Sequence, residues 1–170
     1  LFFYYSKPIH PETLAQYEKY DQYLYIPRLG KILKRLMRMR GESGERIFVW
    51  GTFSQLYHLT DCPAADNFLH YTIGPWDTQD LEGFYDSMIG GIINHKPKYI
   101  IKTFPDLDMQ QLEDITGLKY ILLKVVLARF PVYRLTSSET LTTSPLSLPW
   151  QKKMEQMEKL TQGKWHAPSL

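Results

Sequence analysis

Apolar residues recur at helical spacing through the first forty positions of the chain. Over residues 13–25 they return every three or four positions, which predicts an amphipathic helix. Pro27 should break or kink that helix, because proline lacks the backbone donor and its ring clashes with the preceding turn. A second helix is predicted over residues 28–40, with one apolar face and one basic face. The basic face carries Lys31, Lys34, Arg35 and Arg38.

Short runs rich in β-branched and aromatic residues predict the strands of one sheet. The run 46–50 is apolar after its first residue and follows glycines, which is typical of a strand covered on both faces. Runs at 98–104, 120–126 and 130–135 have a similar character, and the last two are close enough to form a hairpin. Residues 47–50, 99–104 and 120–126 lack polar alternation in their middles. We therefore expect them to be central strands.

Helical patterns at 80–95 and 108–116 alternate with these runs, which predicts an α/β fold. We expect a layered sandwich with a mixed, mainly parallel sheet, helices on both faces and a C-terminal antiparallel hairpin. One domain should span residues 13–135. Residues 1–12 are predicted to be an arm or the exit from a membrane helix, because they begin with five apolar and aromatic residues. Residues 136–170 shift to Ser, Thr and Pro, which predicts a linker followed by a short charged helix.

Composition and charge argue against several classes of protein. The 170 residues contain 20 Lys and Arg against 18 Asp and Glu, a net charge of +2. A nucleic-acid-binding domain normally has a dominant basic footprint, so no nucleic-acid partner is predicted. The single cysteine, Cys62, can form no intrachain disulfide, and we predict a buried, unreactive thiol. No run reaches the roughly 18 apolar residues of a transmembrane helix.

The chain contains no complete catalytic or cofactor motif. Its glycines do not form the GxGxxG pattern after a strand, and no P-loop pattern occurs. The five histidines are scattered without the spacing of metal ligands, so neither a metal nor a cofactor is predicted. Asp108 is best explained as a helix N-cap. The sequence therefore assigns no catalytic residue.

A ligand site is predicted where the first strand ends, because open α/β sheets bind ligands at the carboxyl edge of parallel strands. Gly51 permits close approach of the backbone, and Thr52 follows it. Trp50 and Tyr57 offer a stacking surface for a sugar ring. The alternative is that Trp50 belongs to the core and that Gly51 only turns the chain.

The basic face of the predicted helix 28–40 also has two interpretations. Its side chains are suited to contact the phosphate of a lipid-linked donor or anionic lipid head groups. Equally, they form the solvated face of an amphipathic helix that packs on the sheet. The residues concerned are Lys31, Lys34, Arg35 and Arg38.

Several short motifs occur in an order that resembles one protein family. The chain reads FVWGT (48–52), QLYHLT (55–60), PAADNF (63–68), then a helix, HKPKYII (95–101) and PVYRL (131–135). This succession resembles the extramembrane C-terminal region of bacterial membrane glycosyltransferases of the protein-O-mannosyltransferase-like and aminoarabinose-transferase-like type. The resemblance covers about residues 17–135. It depends on the order and spacing of the motifs, since each motif is short.

The resemblance implies a division of labour within a larger enzyme. In that family a polytopic membrane part binds a polyprenyl-phosphate-linked sugar and carries the catalytic acidic residue on its first outward-facing loop. This chain would then be a non-catalytic domain on the periplasmic side of the inner membrane, and it would pack on its own upstream transmembrane region or assist acceptor recognition. The implied partners are a lipid-linked sugar donor or acceptor and the membrane surface.

Two alternative functions are compatible with the sequence. The first is a small α/β enzyme, or a module that binds a sugar or nucleotide, with its pocket at the carboxyl edge of the sheet. The second is a protein-interaction module that uses the aromatic-rich segment 68–76.

Overall fold

A computed structural model describes residues 22–51, 53–65 and 81–161 of the chain. Its strands β1 (Ile47–Trp50), β2 (Tyr99–Lys102), β3 (Leu118–Val126) and β4 (Phe130–Ser138) form one sheet in the order β1-β2-β4-β3. Its helices are α1 (Gln22–Met39), α2 (Gln55–Thr60), α3 (Leu81–His95), α4 (Met109–Thr116) and α5 (Trp150–Leu160). A 3₁₀ turn lies at Pro145–Ser147. The mixed α/β fold predicted from the sequence is confirmed.

Helices cover both faces of the sheet. Successive side chains of a strand point to opposite faces, so the short apolar strands β1 and β2 need an apolar layer on each side. On one face, α1 and α2 pack against Ile47, Val49, Tyr99 and Ile101. On the other face, α3, α4 and α5 pack against Phe48, Trp50 and Ile100. Val49 and Ile100 are both buried, as this architecture requires.

The balance of strand pairings differs from the expectation of a mainly parallel sheet. β1 and β2 are parallel, whereas β4 pairs antiparallel with both β2 and β3. The predicted C-terminal hairpin is present, and its second strand is the one that joins β2. A parallel pair needs a long crossover connection, and the described chain makes one between neighbouring strands, through α3. A hairpin needs only a short turn.

Two strands that we expected to be central lie at the edges of the sheet. All four residues of β1 are buried, but its outer edge is covered by the chain after α2 rather than by another strand. The Ile47 amide donates to the Pro63 carbonyl at 3.0 Å, and the Ala65 amide donates to the Ile47 carbonyl at 3.0 Å. The side-chain burial that predicted a central position comes from the helical layers on both faces, whereas this segment supplies backbone partners at the outer edge.

β3 forms the other edge, and much of it is open to solvent. Ile121, Leu122 and Val125 are 52%, 53% and 42% exposed. The pairing with β4 shifts register between Lys119 and Tyr120 and again after Leu122. The prediction of a central strand at 120–126 was wrong, because an apolar run indicates a strand without indicating how many neighbours it has.

α1 continues through Pro27, where the sequence predicted a break or a kink, so the helix is not broken there. Pro27 is exposed, and a proline on the solvent side of a helix leaves the unpaired carbonyl to water. On the opposite side Ile26, Leu29 and Leu33 are buried against the sheet, and this packing stabilises the helix across the proline. Residues 13–21 of the predicted first helix, and the predicted arm at 1–12, lie outside the described residues.

The C-terminal helix belongs to the core of the domain. β4 extends to Ser138, beyond the boundary predicted at residue 135. Met157 and Leu160 of α5 are fully buried in the cluster formed with α3 and α4. The Asp108 amide donates to the Leu160 carbonyl at 2.7 Å. The packed domain therefore reaches Thr161, which is also buried.

Lys153 attaches α5 to α3 through a buried charge. Its Nζ lies 2.8 Å from Asp86 Oδ1 and 3.1 Å from Glu82 Oε1. The hydrogen bond that Lys153 donates to Asp86 raises the pKa of Lys153 above its ordinary value, although burial opposes this effect. The Tyr85 hydroxyl donates to Gln156 beside it. These polar contacts set the position of α5 along α3.

We predict that Met157→Ala lowers the free energy of unfolding by about 2–5 kcal/mol, as expected for a fully buried methionine. Gln151→Ala is the matched control on the same helix, because Gln151 is exposed and its truncation should cost less than about 0.5 kcal/mol. Urea unfolding of the two variants measures the difference. Equal stability of both variants would contradict the placement of α5 in the core.

Candidate functional site

The predicted ligand residue Trp50 lies at the carboxyl end of β1, and its ring is buried in the core. The indole Nε1–H donates to Asp106 Oδ1 at 2.6 Å. The Trp50 carbonyl accepts from the Thr103 amide at 2.9 Å and from the Thr103 hydroxyl at 2.7 Å. With 1% of its surface exposed, Trp50 presents no ring face on which a sugar can stack. The alternative interpretation, a core tryptophan, is the one that the structure supports.

Gly51 and Tyr57 lie beside Trp50, and both make contacts that build the fold. Gly51 has a φ of +128°, and an added Cβ would lie 2.0 Å from Thr103 Oγ1. The Tyr57 hydroxyl accepts from the Val49 amide at 3.0 Å. Gly51 therefore turns a closely packed chain, and ligand contact by Gly51 or Tyr57 stays a prediction. Thr52 lies outside the described residues.

Sequence reasoning missed Lys102 at the same edge of the sheet. Its Nζ donates to the Leu107 carbonyl at 2.5 Å. Burial lowers the pKa of Lys102, and the nearby carboxylates of Asp106 and Asp108 partly oppose this effect. A polar residue that ends an apolar strand was the available signal. The amine is hydrogen-bonded to the loop that follows β2, so its role is structural.

Glu42, in the turn between α1 and β1, was also missed, and it lies at the centre of a charged cluster. Arg134 of β4 donates to it from Nε at 3.1 Å and also from Nη2. The Tyr99 hydroxyl donates to the same carboxylate. Lys98 Nζ lies at 3.7 Å and Arg40 Nε at 3.6 Å. No local pattern could have predicted this cluster, because Glu42 and Arg134 are 92 positions apart.

The electrostatics of this cluster favour an ionised Glu42. The hydrogen bond from Arg134 lowers the pKa of Glu42 to about 2, against an opposing effect of burial. Burial and the hydrogen bond to Glu42 raise the pKa of Tyr99 to about 12. The cluster is thus one carboxylate held by three cations and a neutral phenol. It joins α1 to the two central strands.

The predicted basic residues lie on the exposed face of α1. Positions 28, 31, 35 and 38 follow one another at spacings of three and four residues, which places them along one side of the helix. Lys34, next to this row, forms a salt bridge with Asp61. The four cations of the row make no hydrogen bond or salt bridge with the part of the chain that the structure describes. They are Arg28, Lys31, Arg35 and Arg38, all exposed.

A cavity of about 270 Å³ lies at the opposite end of the sheet from Trp50. The hydroxyl of Thr116 in its wall is already bonded to the Leu112 carbonyl at 2.7 Å. Lys96 and Glu139 are exposed residues of opposite charge at its rim. The lining residues are Ile93, Lys96, Thr116, Leu118, Ser138, Glu139, Thr140 and Leu141. This set contains hydroxyl groups but no histidine that could activate one of them as a nucleophile.

Within residues 22–51, 53–65 and 81–161, no group of three or more His, Cys, Asp or Glu side chains is arranged to hold a metal ion. In the same ranges, no helix has the length and apolar content needed to cross a membrane. Cys62 is buried, as predicted, with its Sγ 3.5 Å from Met37 Sδ.

Comparison with known proteins finds no relative of this chain. No protein-family profile, no curated protein and no solved structure matches it.

We predict that Gly51→Ala destabilises the protein more than Gly41→Ala does. Both glycines have positive φ, +128° and +70°, but only the Cβ at Gly51 would meet other atoms. The backbone strain at Gly41 should cost about 1–2 kcal/mol. At Gly51 the clash with Thr103 should bring the loss to about 2–5 kcal/mol. Urea unfolding measures both, and equal losses would show that Gly51 is not closely packed.

We predict that Glu42→Gln lowers the free energy of unfolding by about 1–3 kcal/mol at pH 7, because the amide removes the negative charge and one of the two acceptor oxygens from a part-buried network. The folded-state pKa of Glu42 is depressed from 4.5 to about 2, so its contribution is fully present above pH 4.5. That contribution is lost as the pH falls through about 2. The difference between wild type and variant should therefore shrink over this interval.

Urea unfolding at a series of pH values tests this expectation. Glu45→Gln is the control, because it removes the same charge from an exposed side chain three residues away. A difference between wild type and Glu42→Gln that does not change from pH 5 to the acid limit would contradict the role given to Arg134.

Proposed function

We propose that this chain is the non-catalytic extramembrane domain of a membrane glycosyltransferase that uses a polyprenyl-phosphate-linked sugar. The support is the resemblance in the order of the motifs at 48–52, 55–60, 63–68, 95–101 and 131–135. The domain would face the periplasm, and it would pack on an upstream transmembrane region or assist acceptor recognition. It would supply binding surface and rigidity to the enzyme, but no catalytic group.

One observation carries the proposal: residues from separate motifs converge on the same contacts. Tyr99 of the KYII motif and Arg134 of the VYRL motif both bind Glu42. The Trp50 carbonyl, in the VWGT motif, is bound by the loop that follows β2. Motifs that meet in this way must keep their order and spacing for the sheet to form. This supports the interpretation of the motif set as the signature of one fold.

The surroundings of the acidic residues favour a non-catalytic role. Asp61 is 66% exposed and paired with Lys34, and Asp106 accepts from the buried indole of Trp50. Sugar transfer requires a donor held in a fixed orientation and shielded from water. Neither carboxylate lines the cavity of about 270 Å³ described above. The alternative, a small α/β enzyme at the carboxyl edge, would have to use Lys102 and Asp106 there.

We predict that the purified chain transfers no sugar. The test incubates it with polyprenyl-phosphate sugars and with peptide and lipid acceptors, and the full-length enzyme in membranes is the positive control. Turnover by the chain that is abolished by Asp106→Asn or Asp61→Asn would overturn the proposal and favour the small-enzyme alternative. The proposal also requires upstream apolar segments of about 20 residues in the complete reading frame. A start codon immediately before Leu1 would contradict it.

A further inference from the structure

Charge is divided unequally between the two helical layers of the sandwich. α1 and α2 together contain five Lys and Arg residues and no Asp or Glu. α3, α4 and α5 together contain six Asp and Glu residues and three Lys residues, a balance of −3. These layers lie on opposite faces of the sheet. Although the net charge of the chain is only +2, its described helices are positive on one side of the sheet and negative on the other.

The positive layer is available for contact with a partner. Arg28, Lys31, Arg35 and Arg38 lie within eleven residues of helix, a row about 15 Å long. Met39, at the end of this row, is 75% exposed. At the other end of α1, the exposed Arg129 lies 5.9 Å from the centre of the Tyr25 ring.

Two acidic residues near α1 in the described chain are paired with other cations. Glu42 is held by Arg134, with Lys98 and Arg40 near it. Asp61 is paired with Lys34, which lies beside the row. Within the described residues, the four remaining cations of α1 have no carboxylate bound to them and are exposed.

We propose that the exposed face of α1 docks on an anionic membrane surface. Lipid head groups present phosphates in a plane, which matches a straight row of cations on one helix, and Met39 is placed to enter the interface between head groups and acyl chains. The acidic layer of α3, α4 and α5 then points away from the bilayer, so the charge separation also orients the domain. This inference does not require that the chain belong to a glycosyltransferase.

A nucleic acid fits this face less well. Proteins that bind single strands interleave cations with exposed aromatic rings on which bases stack. The large apolar side chains exposed in the described residues are Met39, Ile121, Leu122 and Val125, none of them aromatic. A nucleic acid that wrapped around the domain would also meet the acidic layer. The observations favour a flat partner that contacts one side only.

The experiment measures co-sedimentation of the chain with phosphatidylcholine vesicles that contain about 30% phosphatidylglycerol, and with vesicles of phosphatidylcholine alone. We expect binding to the anionic vesicles alone. We also expect the affinity to fall as salt shortens the Debye length from about 10 Å at 0.1 M to about 3 Å at 1 M. Equal binding to both kinds of vesicle, or no binding to either, would overturn the proposal.

Two charge-reversal variants distinguish an effect of this surface on binding from an effect of the net charge. Arg35→Glu/Arg38→Glu and Lys152→Glu/Lys159→Glu each change the net charge from +2 to −2, and all four residues are exposed. Each cation near an anionic membrane is worth about fivefold in affinity, so we expect the α1 variant to bind at least about 25-fold more weakly. The α5 variant should stay within about threefold of wild type, because its lysines lie on the side that faces away from the bilayer.

Circular dichroism and thermal unfolding establish that both variants fold. Equal losses of binding in folded variants would show that net charge decides, and would overturn the proposed surface. A single-stranded RNA oligonucleotide is the last arm of the experiment. Tighter binding to this RNA than to anionic vesicles, with the same dependence on Arg35 and Arg38, would replace the membrane by a nucleic acid as the partner.

Discussion

The structure depends above all on the burial of β1 and β2 from both sides. Both strands are only four residues long, and seven of their eight side chains are buried, with Lys102 the exception. Burial of apolar surface on this scale is the main favourable term in folding, and here it requires two separate layers of helices. This requirement explains why α5, at the end of the described chain, is part of the core. It also explains why α1 keeps its packing through a proline.

Polar contacts at the two ends of the sheet complete this apolar frame. At the carboxyl end of β1, Asp106 accepts from the Trp50 indole. Near the amino end of β2, Arg134 and Tyr99 bind Glu42. Burial of a polar group without a partner costs free energy. Each of these contacts therefore favours one arrangement of the loops over others that apolar packing alone would also allow. Most of the residues that the sequence suggested as ligand contacts therefore make hydrogen bonds or packing contacts within the fold.

The placement of a helical layer on each face of the sheet also has a consequence for function. Each layer buries one face of its helices and leaves the other face open to solvent, so the exposed faces of the two layers point in opposite directions. The sequence places cations on one of these faces and mainly carboxylates on the other. A nearly neutral protein can in this way have a strongly directional field, which net charge and composition do not show.

The sequence by itself determined the positions of most elements in the described chain. Apolar periodicity located β1, β2, the hairpin and α3, and local chemistry located α4, where Asp108 caps the first turn and Gly117 ends the helix at a φ of +67°. These signals are local, because hydrogen bonds and side-chain spacing within one element produce them. The sequence also predicted the mixed α/β sandwich and the basic face of α1.

Only the tertiary structure decided which strands lie at the edges, whether Trp50 stacks on a ligand or packs in the core, and what Glu42 binds. A run such as IFVW indicates that its side chains are buried. It does not indicate whether the edge of the strand is covered by another strand or by a segment such as 63–65. Trp50 satisfies its need for burial and for a hydrogen-bond acceptor by means of Asp106, 56 positions away. Contacts between residues so far apart depend on the path of the whole chain, and no local pattern encodes them.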